Sequence, residues 1–233
     1  MSSNQCLILF TKPGRPGRVK TRLIGALSAE QAAELHWAFL GDVADRLRGG
    51  KFELRLAWAL AEGEPIPSTK VDPKGELTHV AQEGRDLGER MFEALRAAAQ
   101  DYDFVGVVGS DHPELELTTA ERAFQHLEDG AEVAIGPAAD GGYYLLALRR
   151  EALHEDLFHD IEWSTETVFD ETMARCADLG LQVETLIVGD DVDRPDDLRR
   201  LAARLRQNRA PACVRTRRLL AAWGWLDLPK DGP

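Results

Sequence analysis

Five cationic side chains fall within eleven residues near the start of the chain: Lys12, Arg15, Arg18, Lys20 and Arg22. This segment, the cationic loop (residues 12–22), follows a short apolar run and also contains two glycines and two prolines. Glycine lets backbone N–H groups turn towards an anion, and lysine and arginine add formal charge. A polyphosphate suits this combination, so the loop predicts a nucleotide phosphate site. A solvated basic turn is the alternative interpretation.

Three acidic segments follow predicted strands further along the chain. They contain Asp111, then Asp140 before two glycines, and finally Asp191 and Asp193. Ligands of an open α/β sheet bind beyond the carboxyl ends of its strands, so these carboxylates are expected to face the cationic loop. Carboxylates placed there can hold Mg²⁺ or Mn²⁺ against phosphate oxygens. Asp111 and Asp191 are therefore candidate metal ligands, although Asp111 could instead cap a turn, and Asp193 is predicted to cap the following helix.

Two further segments join a loop to a helix. Gly84, Gly88 and Arg90 lie in the first, where glycines would permit close contact with a base or ribose and the helix start favours anions. An ordinary turn would look similar. In the second segment Ser164 is a predicted N-cap, and Trp163 either stacks on a ring or, more commonly, packs in a core.

The overall composition is acidic, with 40 Asp and Glu against 28 Lys and Arg and a formal net charge of -12. This charge repels nucleic acid backbones and anionic membranes, so small-molecule ligands are expected and a nucleic acid partner is not. No apolar run reaches the length of a membrane span, and no signal peptide is visible. The three scattered cysteines show no pairing pattern, which fits a reducing compartment. A cytoplasmic protein is the resulting expectation.

Strand and helix patterns alternate along the chain. Strands are predicted over residues 5–10, 52–60, 77–82, 104–110, 132–138, 142–148 and 182–188. Helices are predicted over residues 28–47, 87–100, 118–129, 164–179 and 193–207, the first with a capping box of Ser28 and Gln31. This alternation predicts right-handed β-α-β units and a largely parallel, covered sheet.

The last part of the chain differs in character. Residues 1–207 are predicted to form one domain and residues 208–233 a tail, in which arginines precede Trp223 and Trp225. The tail is expected to pack its tryptophans on its own domain or on a second copy in a homodimer. A membrane-surface or partner helix is the alternative.

Six segments in this order resemble a bacterial family of small GT-A-like transferases known as domain of unknown function 2064, often labelled glycosyltransferases. They are LFTKPGRPGRVKTRL, GRDLGERM, VGSDHPEL, GPAADGGYYLLAL, IEWSTETV and DVDRPDDL, and the resemblance covers roughly residues 5–205. A more distant similarity runs to 2-phospholactate and molybdenum-cofactor guanylyltransferases. The resemblance implies the nucleotide-diphospho-sugar transferase fold, an α/β fold with a mixed, mostly parallel sheet, helices on both faces and a nucleotide in the N-terminal half.

The resemblance also implies roles for individual residues. Four cations would meet the phosphates: Lys12, Arg15, Lys20 and Arg22. The acidic elements would hold the metal: Asp111, Asp191 and Asp193. Four residues would lie on the acceptor side: Gly141, Gly142, Ser164 and Thr165. The sequence departs from related families in two places, since the cationic loop lacks the Ala-Gly-Gly-rich signature of standard nucleotidyltransferases and Asp-His-Pro replaces the Asp-X-Asp of typical GT-A glycosyltransferases.

We therefore expect a metal-dependent transferase with a nucleotide-sugar or nucleoside triphosphate donor, a small-molecule acceptor and catalytic roles for Lys20, Arg22 and Asp111. Glycosyl transfer would release a nucleoside diphosphate, whereas nucleotidyl transfer would release pyrophosphate, and the five cations favour triphosphate handling. A non-catalytic nucleotide-binding module is a third alternative. A phosphatase of the haloacid dehalogenase type is excluded because Thr11 and Lys12 stand where it needs Asp-X-Asp.

Overall fold

The computed structural model describes residues 4–210 and 213–227 and has a seven-stranded sheet at its centre. The strands are β1 (Gln5–Thr11), β2 (Glu53–Trp58), β3 (Thr78–Ala81), β4 (Phe104–Gly109), β5 (Val133–Pro137), β6 (Tyr143–Arg149) and β7 (Val183–Thr185). They are ordered β3-β2-β1-β4-β6-β5-β7. β6 is antiparallel to both of its neighbours, and the other pairings are parallel. The predicted mixed, mostly parallel sheet is confirmed.

Helices cover both faces of this sheet, as the resemblance implied. They are α1 (Ala29–Leu47), α2 (Leu87–Ala98), α3 (Leu117–Glu128), α4 (Val168–Asp178), α5 (Pro195–Arg206) and α6 (Val214–Ala222). Successive side chains of a strand point to opposite faces. In β1, Leu7 and Leu9 therefore pack in the core with α1 and α3, whereas Cys6 and Ile8 pack in the core with α2 and α4. A third apolar cluster joins α1, α5 and α6.

The start of α1 forms as its sequence predicts. The Ser28 hydroxyl accepts a hydrogen bond from the Gln31 backbone N–H at 3.1 Å, and the Gln31 side chain accepts one from the Ser28 N–H at 2.9 Å. This reciprocal pair satisfies N–H groups that have no partner within the helix. The predicted capping box is confirmed.

Two predicted elements are shorter in the structure. α4 begins at Val168 with Thr167 as its N-cap, and Ser164 adopts a left-handed φ of 70°, so the predicted cap at Ser164 is wrong. β7 ends at Thr185, and beyond it Ile187 and Val188 are exposed by 68% and 65%. The chain still lies beside β5 there, since the Gly189 N–H donates to the Pro137 carbonyl at 2.8 Å, but the regular strand pairing ends at Thr185.

The predicted tail is described over residues 208–210 and 213–227, and its helix packs on the α/β core. α6 lies against α1, where the buried Asp42 carboxylate accepts the backbone N–H groups of Arg215 and Thr216 at 2.8 and 2.9 Å. Trp223 and Trp225 are partly buried against the third apolar cluster. Residues 211–212 and 228–233 of that tail lie outside the described residues. Within the described ranges, no helix is both long and apolar enough to cross a bilayer.

Candidate active site

One edge of the sheet brings together residues that are far apart in the sequence. β1 and β4 are parallel neighbours, so the cationic loop and Asp111 leave the sheet at the same edge. β6 runs antiparallel to β4, so Tyr143 and the turn before it lie at this edge as well. The edge opens into a cleft of about 1150 Å³. A cleft of this size can hold a nucleotide together with a second small molecule.

Lys20 lies at the centre of a charged cluster in this cleft. Its Nζ donates to Asp111 Oδ1 at 2.6 Å and to Asp193 Oδ1 and the Val192 carbonyl at 2.9 Å each. The side chain is only 2% exposed. Because an ammonium group has three hydrogens, these contacts use its full donor capacity. Lys20 therefore holds the carboxylates in place, and in this arrangement its ammonium has no hydrogen left for the phosphate contact predicted from the sequence, which stays a prediction.

Burial and ion pairing set the protonation of this cluster. Burial alone would lower the pKa of Lys20, yet Asp111 and Asp193 outweigh it and hold that pKa above its ordinary value. Burial acts to raise the pKa of Asp111, but the Lys20 ammonium outweighs it and keeps that pKa below its ordinary value. Lys20 and Asp111 are therefore both charged at neutral pH.

Asp191 lies beside this cluster, and one of its carboxylate oxygens is not satisfied. Its Oδ1 atom is buried and has no hydrogen-bond partner in the structure. Burial, followed by the nearby Asp111 carboxylate, raises the pKa of Asp191 to about 7. A buried carboxylate oxygen without a partner is costly, and a divalent cation with its preference for oxygen ligands would satisfy it. Asp111 and Asp191 therefore fit a divalent metal ion.

The metal site predicted at Asp111, Asp191 and Asp193 stays a prediction. Within residues 4–210 and 213–227, no three His, Cys, Asp or Glu side chains converge as metal ligands. Asp193 is committed to Lys20 and lies 3.8 Å from Arg22, which places it among the cations. The predicted helix cap at Asp193 is wrong too, because Asp197 accepts the backbone N–H groups of Asp193 and Arg194 at 3.0 and 2.7 Å.

The cations of the loop divide into two groups. Lys12 and Arg22 line the cleft together with Lys20, and both are exposed there. Arg15 and Arg18 do not line it, and Arg15 instead forms an ion pair with Glu64. The described structure thus leaves Lys12 and Arg22 as the loop cations that can face an anion in the cleft.

Sequence reasoning missed two histidines that hold the site together. His36, on the buried face of α1, donates from Nε2 to the Lys12 carbonyl at 2.9 Å, and burial lowers its pKa. A neutral His36 therefore fixes the start of the cationic loop. His112 donates from Nδ1 to the Asp190 carbonyl at 2.8 Å and so joins the end of β4 to the segment that carries Asp191. For His36 the available signal was a polar residue within the apolar stripe of α1.

The residues predicted to contact a base or ribose are used for packing. A Cβ at Gly84 would come within 2.8 Å of the Arg90 backbone nitrogen, and the Arg90 side chain donates to the Gly84 carbonyl at 3.0 Å. A Cβ at Gly88 would lie 2.3 Å from the Phe158 carbonyl oxygen and 2.6 Å from Trp163 Nε1. The space over both glycines is therefore filled by the protein, and neither glycine nor Arg90 lines the cleft.

The four residues predicted on the acceptor side do line the cleft: Gly141, Gly142, Ser164 and Thr165. Gly141 has a φ of 89°, and a Cβ there would lie 2.0 Å from the Glu166 carbonyl oxygen. The Gly141 carbonyl also accepts the Phe169 N–H at 2.8 Å. Gly141 thus lets the turn before β6 pack closely on the segment before α4, which brings both segments to the cleft.

The chain matches one protein family and is similar to several solved structures. The model of a family described as an uncharacterized protein conserved in bacteria, domain of unknown function 2064, matches residues 43–165. Among solved structures, the chain is similar to a protein from Desulfovibrio desulfuricans G20 that is provisionally named a nucleotide-diphospho-sugar transferase. The two chains are 32% identical over 96% of each, with a TM-score of 0.88. No curated protein matches the chain.

Two more distant structures share the fold. CMP:2-keto-3-deoxy-manno-octonic acid synthetase, solved in complex with CTP, is 16% identical, with 88% of this chain and 99% of that chain covered and a TM-score of 0.58. Rv0371c from Mycobacterium tuberculosis H37Rv, solved with manganese, is 18% identical, with 84% and 97% covered and a TM-score of 0.51.

Proposed function

The chain belongs to the bacterial family of domain of unknown function 2064, and we propose that it is a metal-dependent transferase that takes its donor group from a nucleotide. The observation that carries the proposal is the presence of Asp111 and Asp191, whose buried oxygen has no partner, in one cleft with the exposed cations Lys12 and Arg22. Metal-ligating oxygens beside exposed cations are suited to a metal-bound phosphate.

Each group of the cleft has a distinct task in this proposal. A divalent ion held by Asp111 and Asp191 would supply positive charge at the donor phosphates. Lys20 orients Asp111 and keeps it ionised, because the ammonium is already in contact with that carboxylate at 2.6 Å. Lys12 and Arg22 bind and orient the phosphates, since their charges face the cleft. Prior orientation of this kind lowers the barrier, because the protein does not reorganise during the reaction.

Glycosyl transfer from a nucleotide-sugar is the reaction we propose first. The acceptor hydroxyl oxygen bonds to the sugar carbon while the bond from that carbon to the diphosphate oxygen breaks. The nucleoside diphosphate leaves with the electron pair, and the hydroxyl proton passes to solvent. The relative that is 32% identical and provisionally named a nucleotide-diphospho-sugar transferase supports this choice.

Nucleotidyl transfer is the second candidate. There the acceptor oxygen bonds to the α-phosphorus of a nucleoside triphosphate while the bond from that phosphorus to the oxygen bridging it to the β-phosphorus breaks. Pyrophosphate leaves with the electron pair, and the acceptor proton passes to solvent. The shared fold with a synthetase that binds CTP favours this reaction. Two of the five loop cations do not reach the cleft, however, which weakens the argument for triphosphate from the number of cations.

The metal proposal includes Mg²⁺ and Mn²⁺, and the manganese complex of a protein with this fold supports the second. The acceptor is proposed to be a small molecule. A cytoplasmic location and a homodimer remain predictions from the sequence.

Product analysis tests the proposed function. The full chain is incubated with nucleoside triphosphates and nucleotide-sugars, with Mg²⁺, with Mn²⁺ and with EDTA, and released pyrophosphate and nucleoside diphosphate are quantified. We expect metal-dependent release of one product, reduced at least about 100-fold by Asp111→Asn or Asp191→Asn. The matched control is Asp196→Asn, since Asp196 is an exposed aspartate on α5 that pairs with Arg199 on the surface. Nucleotide binding without any release would support the non-catalytic alternative instead.

A further inference from the structure

The cleft has a second, apolar end, and we infer that the acceptor bound there is an uncharged hydroxyl compound with an apolar ring face. This inference rests on the proposed function, because it assigns the acceptor class of the same site. The side chains that line this end are Leu87, Met91, Tyr143, Trp163 and Val168. Leu87 is 41% exposed although it is apolar, which leaves surface that a ligand can cover.

Trp163 is the side chain best placed to contact a ring. It lies over Gly88, where a Cβ would meet Trp163 Nε1 at 2.6 Å, and its ring meets the edge of the Tyr143 ring at a centroid distance of 6.4 Å. It is partly exposed and lines the cleft. From the sequence, such a tryptophan is expected to be buried in a core. Here the packing against Gly88 and Tyr143 fixes the indole and leaves part of it open to a ligand.

The segment that presents Trp163 is held in an uncommon conformation. Ser164 next to it has a φ of 70°, and Asp160 has a φ of 52°, both in the left-handed region that residues other than glycine rarely adopt. Arg175 fixes this segment by donating to the Asp156 and Asp160 carbonyls at 2.8 and 3.2 Å. Strained residues persist where the surroundings impose them, and they cluster at ligand sites.

The charge at this end favours an uncharged acceptor. The segments around Leu87, Gly141 and Trp163 contribute Asp140 and Glu166 to the cleft, and no Lys or Arg among their described residues lines it. Both carboxylates are exposed. The lining cations belong to the cationic loop and to the region of α5. A phosphate or carboxylate on the acceptor would therefore meet negative charge without a cation to pair with.

Three probes and three tryptophan variants test the inference. The probes are 2-phenylethanol, methyl β-D-glucopyranoside and glucose 6-phosphate, and their dissociation constants are measured by saturation-transfer NMR on the full chain. Comparing the first two probes distinguishes binding of an aromatic ring from binding of a sugar ring. Comparing the last two distinguishes binding of a neutral sugar from binding of an anionic one. We expect at least one neutral probe to bind at least about 10-fold more tightly than glucose 6-phosphate. Trp163→Ala weakens that binding about 3- to 10-fold, Trp163→Phe largely restores it, and Trp225→Ala on the C-terminal segment leaves it unchanged.

A charge variant tests the electrostatic part separately. Glu166→Gln is expected to tighten glucose 6-phosphate binding about twofold or more without changing binding of the neutral probes. The inference is overturned if neither neutral probe binds, if glucose 6-phosphate binds as tightly as both, or if Trp163→Ala behaves like Trp225→Ala. On the same samples, the melting temperature is also measured with Mg²⁺ and each of the nucleoside triphosphates and nucleotide-sugars used to test the proposed function. If no nucleotide donor raises the melting temperature, the proposed function is refuted. If a donor does raise it but the acceptor probes give one of the overturning results, only the acceptor class is refuted.

Discussion

At the scale of single residues, the site depends on two aspartates that lie in different environments. Asp111 receives a buried ammonium at 2.6 Å and stays ionised, whereas Asp191 has a buried oxygen without a partner and a pKa raised to about 7. Carboxylates in such contrasting environments perform different tasks. Here Asp111 is a prepared ligand, and Asp191 gains a partner only when a cation is bound.

The first prediction concerns Asp191 and pH. The ordinary pKa of an aspartate is 3.8, and the pKa of Asp191 in the folded protein is about 7. Between these pH values the folded state holds an additional proton, so the stability contributed by this group falls as the pH rises from about 4 to 7 and stays low above that. Asp191→Asn removes the loss and is expected to stabilise the metal-free protein by about 2 kcal/mol at pH 8, after allowance for partial exposure.

Urea denaturation in EDTA at pH 5 and pH 8 measures this effect. Asp196→Asn serves as the control, because its carboxylate is exposed and pairs with Arg199 on the same helix. A variant no more stable than the wild type at pH 8 would show that Asp191 is not strained by burial.

The second prediction contrasts two cations of the same loop. Lys20→Met leaves Asp111 and Asp193 without their buried partner and is expected to cost about 3 kcal/mol of stability at pH 7. Arg22 is 59% exposed and lies 3.8 Å from Asp193, so Arg22→Met is expected to cost less than about 1 kcal/mol while weakening nucleotide binding. Thermal unfolding with and without nucleotide separates the two roles. Equal loss of stability in both variants would contradict the assignment of Lys20 as a positioning residue.

At the scale of elements, close backbone contacts bring the acceptor-side segments together. Gly141 allows the turn before β6 to lie against the segment before α4, where a Cβ would be 2.0 Å from the Glu166 carbonyl oxygen. At Gly142, the next residue, a Cβ would have only the flexible Asp140 side chain within reach, with Oδ1 at 3.3 Å. Two adjacent glycines therefore differ in how much the fold depends on them.

This difference gives the third prediction. Gly141→Ala is expected to destabilise the protein by about 2 kcal/mol or more, because the new methyl group meets backbone and the φ of 89° is strained for alanine. Gly142→Ala is expected to cost less than about 1 kcal/mol. Urea denaturation gives a midpoint for each variant, and the two midpoints are compared with the same dependence of the unfolding free energy on urea concentration. The same midpoint for both variants would mean that the turn is free to move away from α4.

Local chemistry explains which elements the sequence predicted. The capping box of Ser28 and Gln31 depends on residues three apart, so the start of α1 was readable in advance. The predicted caps of α4 and α5 are not formed, and at the start of α5 Asp197 accepts the backbone N–H groups instead. Ser164 is held in a left-handed conformation by the loop around it, and Asp193 is drawn to Lys20, so neither caps its helix. Predictions failed where tertiary contacts overrode a local preference.

The site shows the same division. The sequence could predict that Asp111, Asp191 and the cationic loop lie near one another, because the strand ends of one sheet meet at one edge. The burial of Lys20 and the filling of the space over Gly88 by Trp163 depend on contacts across many residues and leave no local pattern.

At the scale of the whole molecule, the C-terminal segment is tied to the domain through α1. Asp42 is 4% exposed and accepts two backbone N–H groups at the start of α6, which have no partners within that helix. Asp45, three residues later, pairs with the Arg215 side chain at 2.8 Å on the surface. One carboxylate thus caps α6 from a distance, and the other forms an exposed ion pair.

The fourth prediction follows from this pair. Asp42→Ala is expected to destabilise the protein by about 2 kcal/mol and to expose the C-terminal segment to limited proteolysis, because buried donors lose their acceptor. Asp45→Ala is expected to change stability by less than about 1 kcal/mol. Mass spectrometry of the proteolytic fragments locates the cleavage. Equal resistance of both variants would show that packing of the tryptophans alone holds α6.

The central claim is that Asp111 and Asp191 hold a divalent ion that binds a nucleotide, and titration calorimetry tests it most directly. CTP and UDP-glucose are titrated into the wild type and Asp191→Asn, with Mg²⁺ and with EDTA. The account predicts that Mg²⁺ strengthens binding of at least one nucleotide to the wild type about 10-fold or more, and that Asp191→Asn abolishes this gain. Nucleotide binding that is equally strong in EDTA, or a metal-dependent gain that survives in Asp191→Asn, would contradict it.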